Sequence, residues 1–141
     1  MTLPLYGAAV AALIPQKEPF VLVDGLVSCD EHACGSTFTP PDGHILCENG
    51  FLTEFGITEH IAQTGALQSG YLARTHGTKP PVGFIGQIKD LRIHFLPAAG
   101  STLETRIEQL HKVMNVSVIR GVSSVNGRLC AECEMKIFLQ E

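Results

Sequence analysis

The sequence predicts an α+β fold in which one antiparallel sheet of about six strands wraps around one long central helix. Three observations predict it. The stretch "GITEHIAQTGALQSGYLA" (56–73) carries no charge from Ile61 to Ala73, and Gly65, Ala66, Ser69 and Gly70 keep that helix slim. Everything after position 82 is β-rich and broken by turn signals, the strongest being "VNGR" (125–128), where Asn-Gly suits a type I′ hairpin. The order of elements is helix, two strands, one long apolar helix, then four strands in hairpin succession. A single sheet closed around a single helix satisfies that order, which is the hotdog architecture.

Taken in turn, Leu5 to Leu13 reads as a short packing helix ended at Ile14-Pro15. "FVLVDGLVS" (20–28) reads as a strand and "ACGSTFT" (33–39) as a second. "PPDGHILCENG" (40–50) is dense in turn residues and reads as a loop. The long helix is expected from about Thr53 to Arg74, closed by "THGTKPP" with its Gly and Pro. "VGFIGQIKDLRIHFL" (82–96) is a long strand, "PAAGS" a turn, and "TLETRIEQL" (102–110) a cleanly alternating strand. "VMNVSVIRGVSS" (113–124) and "LCAECEMKIFL" (129–139), joined by the Asn-Gly turn, complete the sheet.

The 141 residues read as one domain, 1–141, large enough to bury a core. A formal charge of -4 argues against a nucleic-acid binder, whose domain would be basic. No stretch approaches the roughly 20 apolar residues of a membrane span. The Ala-rich N-terminus has no Lys or Arg before position 17, so it lacks the basic region of a signal peptide, and a cytoplasmic location is expected. Five cysteines form an odd set, which does not suit a disulfide framework. Cys130 and Cys133 have CxxC spacing, yet on a strand residues three apart point to opposite faces, against a redox or metal pair. Cys29, His32, Cys34, His44 and Cys47 match no familiar zinc spacing, so no metal and no cofactor are expected.

The candidate for chemistry is Glu59. It stands at the start of the apolar helix, with Gln63 one turn on along the same face. Burying a carboxylate without a partner is costly. Desolvation pushes it toward its neutral, proton-donating form, while the positive end of the helix dipole opposes that.

Several stretches also resemble a family. "LIPQKEPFVLVDGLVS" (13–28) is similar to the opening of the 3-hydroxyacyl-acyl-carrier-protein dehydratases. "EHIAQTGAL" (59–67) resembles their helix, and "FIGQIKDLRIHFLPAAGSTL" (84–103) their Phe-x-Gly strand and turn. The resemblance spans about positions 13 to 139. It implies dehydration of 3-hydroxyacyl thioesters, carried on acyl-carrier-protein or CoA, to trans-2-enoyl products by a homodimer, with possible pairing of dimers into larger assemblies. Glu59 falls on the family's catalytic carboxylate and His44, in Gly43-His44, on its catalytic histidine, the two meeting across the dimer. Gln63 falls on the Gln beside the active Glu and Gly86 on the family's Phe-x-Gly glycine, both substrate-binding positions. Gly56, three residues before Glu59, lies near a third and is the candidate to serve in its place. The loop after His44, "ILCENGFLTEFG", has none of the family's prolines, and Glu54 replaces the glycine whose amide faces the thioester carbonyl. Dehydratase-like relatives from aryl-polyene pigment clusters also have an altered loop.

On that resemblance a neutral His44 acts as base toward the proton beside the carbonyl, and Glu59 protonates the departing hydroxyl. Free amides at the helix N-terminus meet the charge on the thioester oxygen. His60 is the alternative base. Competing readings are a hotdog thioesterase, with Glu59 activating water, and a non-catalytic acyl-binding or partner subunit. The plainer roles are a helix-start carboxylate for Glu59, a solvated turn residue for His44, and a hydrogen bond across the dimer for Gln63. Lys79, Lys89 and Arg92 either meet an acidic carrier or are ordinary surface cations.

Overall fold

The computed structural model describes residues 2–140. Its centre is α2 (Glu54–Thr75), a 22-residue helix whose N-cap is Thr53, the side chain of which accepts the Gly56 amide. Around it curves a seven-stranded antiparallel sheet. In chain order its strands are β1 (Leu5–Tyr6), β2 (Gly25–Cys29), β3 (Ala33–Phe38), β6 (Val82–Ile93), β7 (Leu103–Val113), β8 (Val116–Val125) and β9 (Arg128–Gln140). Their order in space is β1-β2-β3-β7-β8-β9-β6. A four-residue helix, α1 (Ala8–Ala11), and a separate small hairpin of β4 (Cys47–Glu48) and β5 (Phe51–Leu52) complete the chain. This is the hotdog fold.

The helix and sheet fit because each offers what the other lacks. Ile57, Ile61 and Leu67 of α2 are fully buried with Ile107 of β7, Ile119 of β8 and Met135 of β9. Gly121 of β8 lets the helix lie close: a Cβ there would come within 2.5 Å of Ile61 Cγ2. The β8–β9 hairpin turns at Asn126 and Gly127, both with positive φ (51° and 79°), as a type I′ turn requires.

Two predicted elements differ. The Leu5–Leu13 helix shrinks to α1, because Leu5 and Tyr6 pair with Leu26 and Gly25 as an edge strand instead. The strand expected over 20–28 begins only at Gly25. The reason lies in Leu22, whose N–H donates to Gln63 Oε1 at 2.7 Å and whose C=O meets His60 Nδ1 at 2.7 Å. Both groups that a ladder would use are taken by side chains of α2. The segment thus straps the helix rather than extending the sheet.

A bulge also interrupts the strand that carries Cys130 and Cys133. Ala131 pairs with Ser123 and Leu129 with Ser124, so Cys130 is an extra residue in a bulge. Strict alternation is lost there, and Cys130 and Cys133 are both buried.

Gly70 and Gly65 show two different uses of a slim helix. A Cβ on Gly70 would overlap the backbone carbonyl of Leu13, which cannot retreat as a side chain can. On Gly65 it would meet Ile119 and Ile137 methyls at an ordinary 3.5 Å. Gly70→Ala is therefore expected to cost about 1–3 kcal/mol. Gly65→Ala should be neutral or gain up to about 1 kcal/mol from helix propensity. Urea titration of both variants checks this, and equal effects would refute the assignment.

Candidate active site

Along one side of α2 runs a cavity of about 590 Å³. Its helical wall is Glu59, Ala62, Gln63, Gly65, Ala66 and Ser69. Ten residues separate Glu59 from Ser69, so the cavity follows the helix for about 15 Å. The opposite walls are residues 12–16 and residues 79–85, and Ile119, Ile137 and Leu139 of the sheet line it as well. Small side chains on the helix leave the space, and aliphatic ones on the sheet make it apolar. An acyl chain suits such a groove.

Glu59 is half-buried, and Gln63 Nε2 approaches its Oε2 at 3.3 Å. Gln63 is itself held: Oε1 accepts from Leu22 N–H at 2.7 Å and Nε2 donates to the Phe20 carbonyl at 2.8 Å. Those bonds lie within one chain, so Gln63 is not waiting for a dimer contact. It fixes the 20–22 strap on the helix and presents its remaining amide hydrogen toward Glu59.

The far part of the cavity is polar. Gln109 Nε2 donates to Gln68 Oε1 at 3.0 Å, Ser117 Oγ donates to Gln109 Oε1 at 2.8 Å, and Gln68 Nε2 donates to the Asp30 carbonyl at 2.8 Å. Gln109 and Ser117 both line the cavity. Nothing in the sequence marks them beyond their inward register on alternating strands.

The other predicted residues lie away from the lining. His60 is fully buried. Its Nδ1 donates to the Leu22 carbonyl, and its Nε2 stands 2.8 Å from Thr105 Oγ1, which bonds Ser123 Oγ at 2.6 Å. Burial pushes its pKa down to about 4, against the Leu22 bond and the charge of Asp24, which favour protonation. Gly56 gives its amide to the Thr53 cap and packs on Leu52. Gly86 lies under the ring of Phe138, which a Cβ would overlap. His44 is half-buried in the loop before the helix rather than a solvated turn residue. Its Nδ1 accepts the Leu46 amide at 3.1 Å, and its ring meets Phe38 nearly at right angles, 5.8 Å between centroids. Among the described residues no three His, Cys, Asp or Glu side chains gather as metal ligands do, and Cys29 and Cys34 face one another across β2 and β3.

Compared with known proteins, residues 8–141 match the ApeP-like family model, described as ApeP dehydratase. The chain belongs to the ApeP-like dehydratase family. A 3-hydroxyacyl-[acyl-carrier-protein] dehydratase FabZ of Staphylococcus aureus is 23% identical over 138 residues, covering 94% of this chain and 92% of that protein. Among solved structures, the dehydratase heterocomplex ApeI:P from Xenorhabdus doucetiae aligns with a TM-score of 0.87 at 18% identity, over 100% of this chain and 93% of that one. A hypothetical thioesterase from Streptococcus pneumoniae, with coenzyme A, aligns at 0.66 and 13% identity, over 82% and 84%. At such identities these likenesses establish the hotdog fold. With the family, they make this ApeP-like chain a hotdog-fold dehydratase-type enzyme of acyl-thioester chemistry. Among the described residues no helix is long and apolar enough to cross a membrane.

Proposed function

We propose that this chain dehydrates 3-hydroxyacyl thioesters borne on a carrier protein to trans-2-enoyl thioesters, as one half of a two-subunit site. The observation that carries the reading is the position of Glu59, the sole carboxylate among the described residues lining an apolar cavity that runs along the central helix. In the reaction an imidazole takes the proton from the carbon beside the carbonyl. The electron pair forms the C=C bond, and Glu59 gives its proton to the hydroxyl, which leaves as water.

The second subunit follows from β6. Among the described residues this twelve-residue strand pairs only with β9, and Phe84, Ile85, Ile88 and Leu91 are 39–55% exposed along it. A long apolar edge is a liability unless another chain covers it. The same strand supplies Val82–Ile85 to the cavity, so whatever covers β6 also borders the site. A second copy of this chain or a second hotdog chain would cover that edge, and the similar ApeI:P structure is itself a dehydratase heterocomplex. Exposed Lys79 at the cavity and Lys89 and Arg92 on β6 suit an acidic carrier.

The test is hydration of crotonyl thioester, the reverse reaction, followed by loss of enoyl absorbance with the protein purified together with any subunit that accompanies it. Hydration on carrier-bound or CoA substrate is the expected result. Release of free thiol instead would make the protein a thioesterase. Neither reaction on either substrate would make it an acyl-binding subunit.

A further inference from the structure

The geometry points to His44 as a positioning residue, whose ring holds the loop that caps the central helix and takes no proton in the reaction. This rests on the dehydratase reading above. A backbone N–H can only donate, so the Leu46 amide at 3.1 Å fixes an unprotonated Nδ1. The neutral ring then carries its hydrogen on Nε2. That atom is buried and has no hydrogen-bond partner among the described residues. Nε2 cannot accept a proton because it already holds one, and Nδ1 cannot accept one without releasing Leu46. Both nitrogens are therefore closed to base catalysis.

What the ring does instead is visible in the bonds that follow it. Leu46, held by Nδ1, turns its carbonyl to Thr53, accepting the Thr53 N–H at 3.0 Å and the Thr53 hydroxyl at 2.9 Å. Thr53 Oγ1 in turn accepts the Gly56 amide at 3.2 Å as the cap of α2. The Cys47 amide closes the turn onto the His44 carbonyl at 2.9 Å. A relay thus runs from His44 through Leu46 and Thr53 to the first turn of the helix, one turn before Glu59. The loop has no proline after Pro41 to stiffen it, and this relay with the β4–β5 hairpin fixes its shape.

Nitrogen-15 NMR of the imidazoles near neutral pH decides the tautomer without any activity. The Nε2–H form of His44 is expected, and an Nδ1–H form would overturn the proposal. Two variants then separate positioning from proton transfer, since neither titrates. In His44→Asn the side-chain oxygen can stand where Nδ1 stands, whereas His44→Gln reaches the Nε2 position. Positioning predicts that His44→Asn keeps crotonyl-thioester hydration within about threefold and leaves its pH profile unchanged, while His44→Gln loses more. A base predicts equal losses of about 10²–10⁴-fold in both, and that result would also overturn it. If the wild-type protein with its accompanying subunit hydrates nothing, the dehydratase reading fails, and the NMR result still judges the placement of His44.

Discussion

Glu59→Gln is expected to cut crotonyl-thioester hydration by about 10²–10⁴-fold while the protein stays folded. Glutamine keeps the length and shape of glutamate, and its amide oxygen can still receive the Gln63 Nε2 bond that Glu59 receives at 3.3 Å. What it cannot do is deliver a proton to a departing hydroxyl. Loss of the charge from the first turns of α2 removes about 0.3–1 kcal/mol of favourable dipole interaction, a small effect on stability. Activity and folding therefore separate cleanly. Binding should separate too, since the cavity and its Ala62, Ala66 and Ile119 walls are untouched, so KM should move little and kcat should carry the loss. Activity within tenfold of wild type would reduce Glu59 to a carboxylate that merely suits a helix start, and would leave the cavity with no carboxyl acid among its described lining residues.

Much of the fold was legible because its strongest elements are locally self-consistent. Thr53 before an apolar helix, and Asn126-Gly127 between alternating strands, specify their own backbone geometry, and both stand where the sequence puts them. Residues 20–24 were misread because they have every property of a strand, but two side chains 38 and 41 positions later claim the backbone of Leu22. No local pattern announces that competition. The bulge at Cys130 is similar, since one extra residue in a pairing register cannot be seen from one strand alone.

The site divides along the same line. Glu59 and Gln63 share a helical face, which periodicity reveals directly, and the structure puts both on the cavity. The walls contributed by residues 12–16, Gln109 and Ser117 come from segments far apart in sequence, and only the closed sheet brings them to α2. The two candidate histidines illustrate the limit best. Sequence can count them, but their roles depend on tautomer. The Leu46 amide fixes the hydrogen of His44 on Nε2, whereas the Leu22 carbonyl requires the hydrogen of His60 on Nδ1.

That requirement gives His60 the second large effect expected, and it is on stability. Neutral His60 is fully matched, with Nδ1–H donated to the Leu22 carbonyl and Nε2 accepting from Thr105, whose hydroxyl is bonded to Ser123. A second proton on the ring would need Thr105 to turn its hydrogen away in a site closed to water. The folded-state pKa of about 4 lies below the ordinary 6.5, so the unfolded chain binds the extra proton first as pH falls. The contribution to stability is complete above pH 6.5, shrinks as pH falls from 6.5 to 4, and amounts to about 3 kcal/mol over that window. His60→Gln cannot titrate and leaves some of these partners unmatched, costing about 1–3 kcal/mol or more near pH 7. Urea titrations from pH 7 to pH 4 should thus show wild type clearly more stable at the upper end and the two proteins converging toward the lower. Parallel curves would mean that His60 is protonated in the folded protein. The same pair of proteins tests the alternative base, because a histidine with a pKa near 4 and no exposed atom would leave the pH profile of hydration unaltered when replaced, whereas a working base would take the neutral-pH limb of that profile with it.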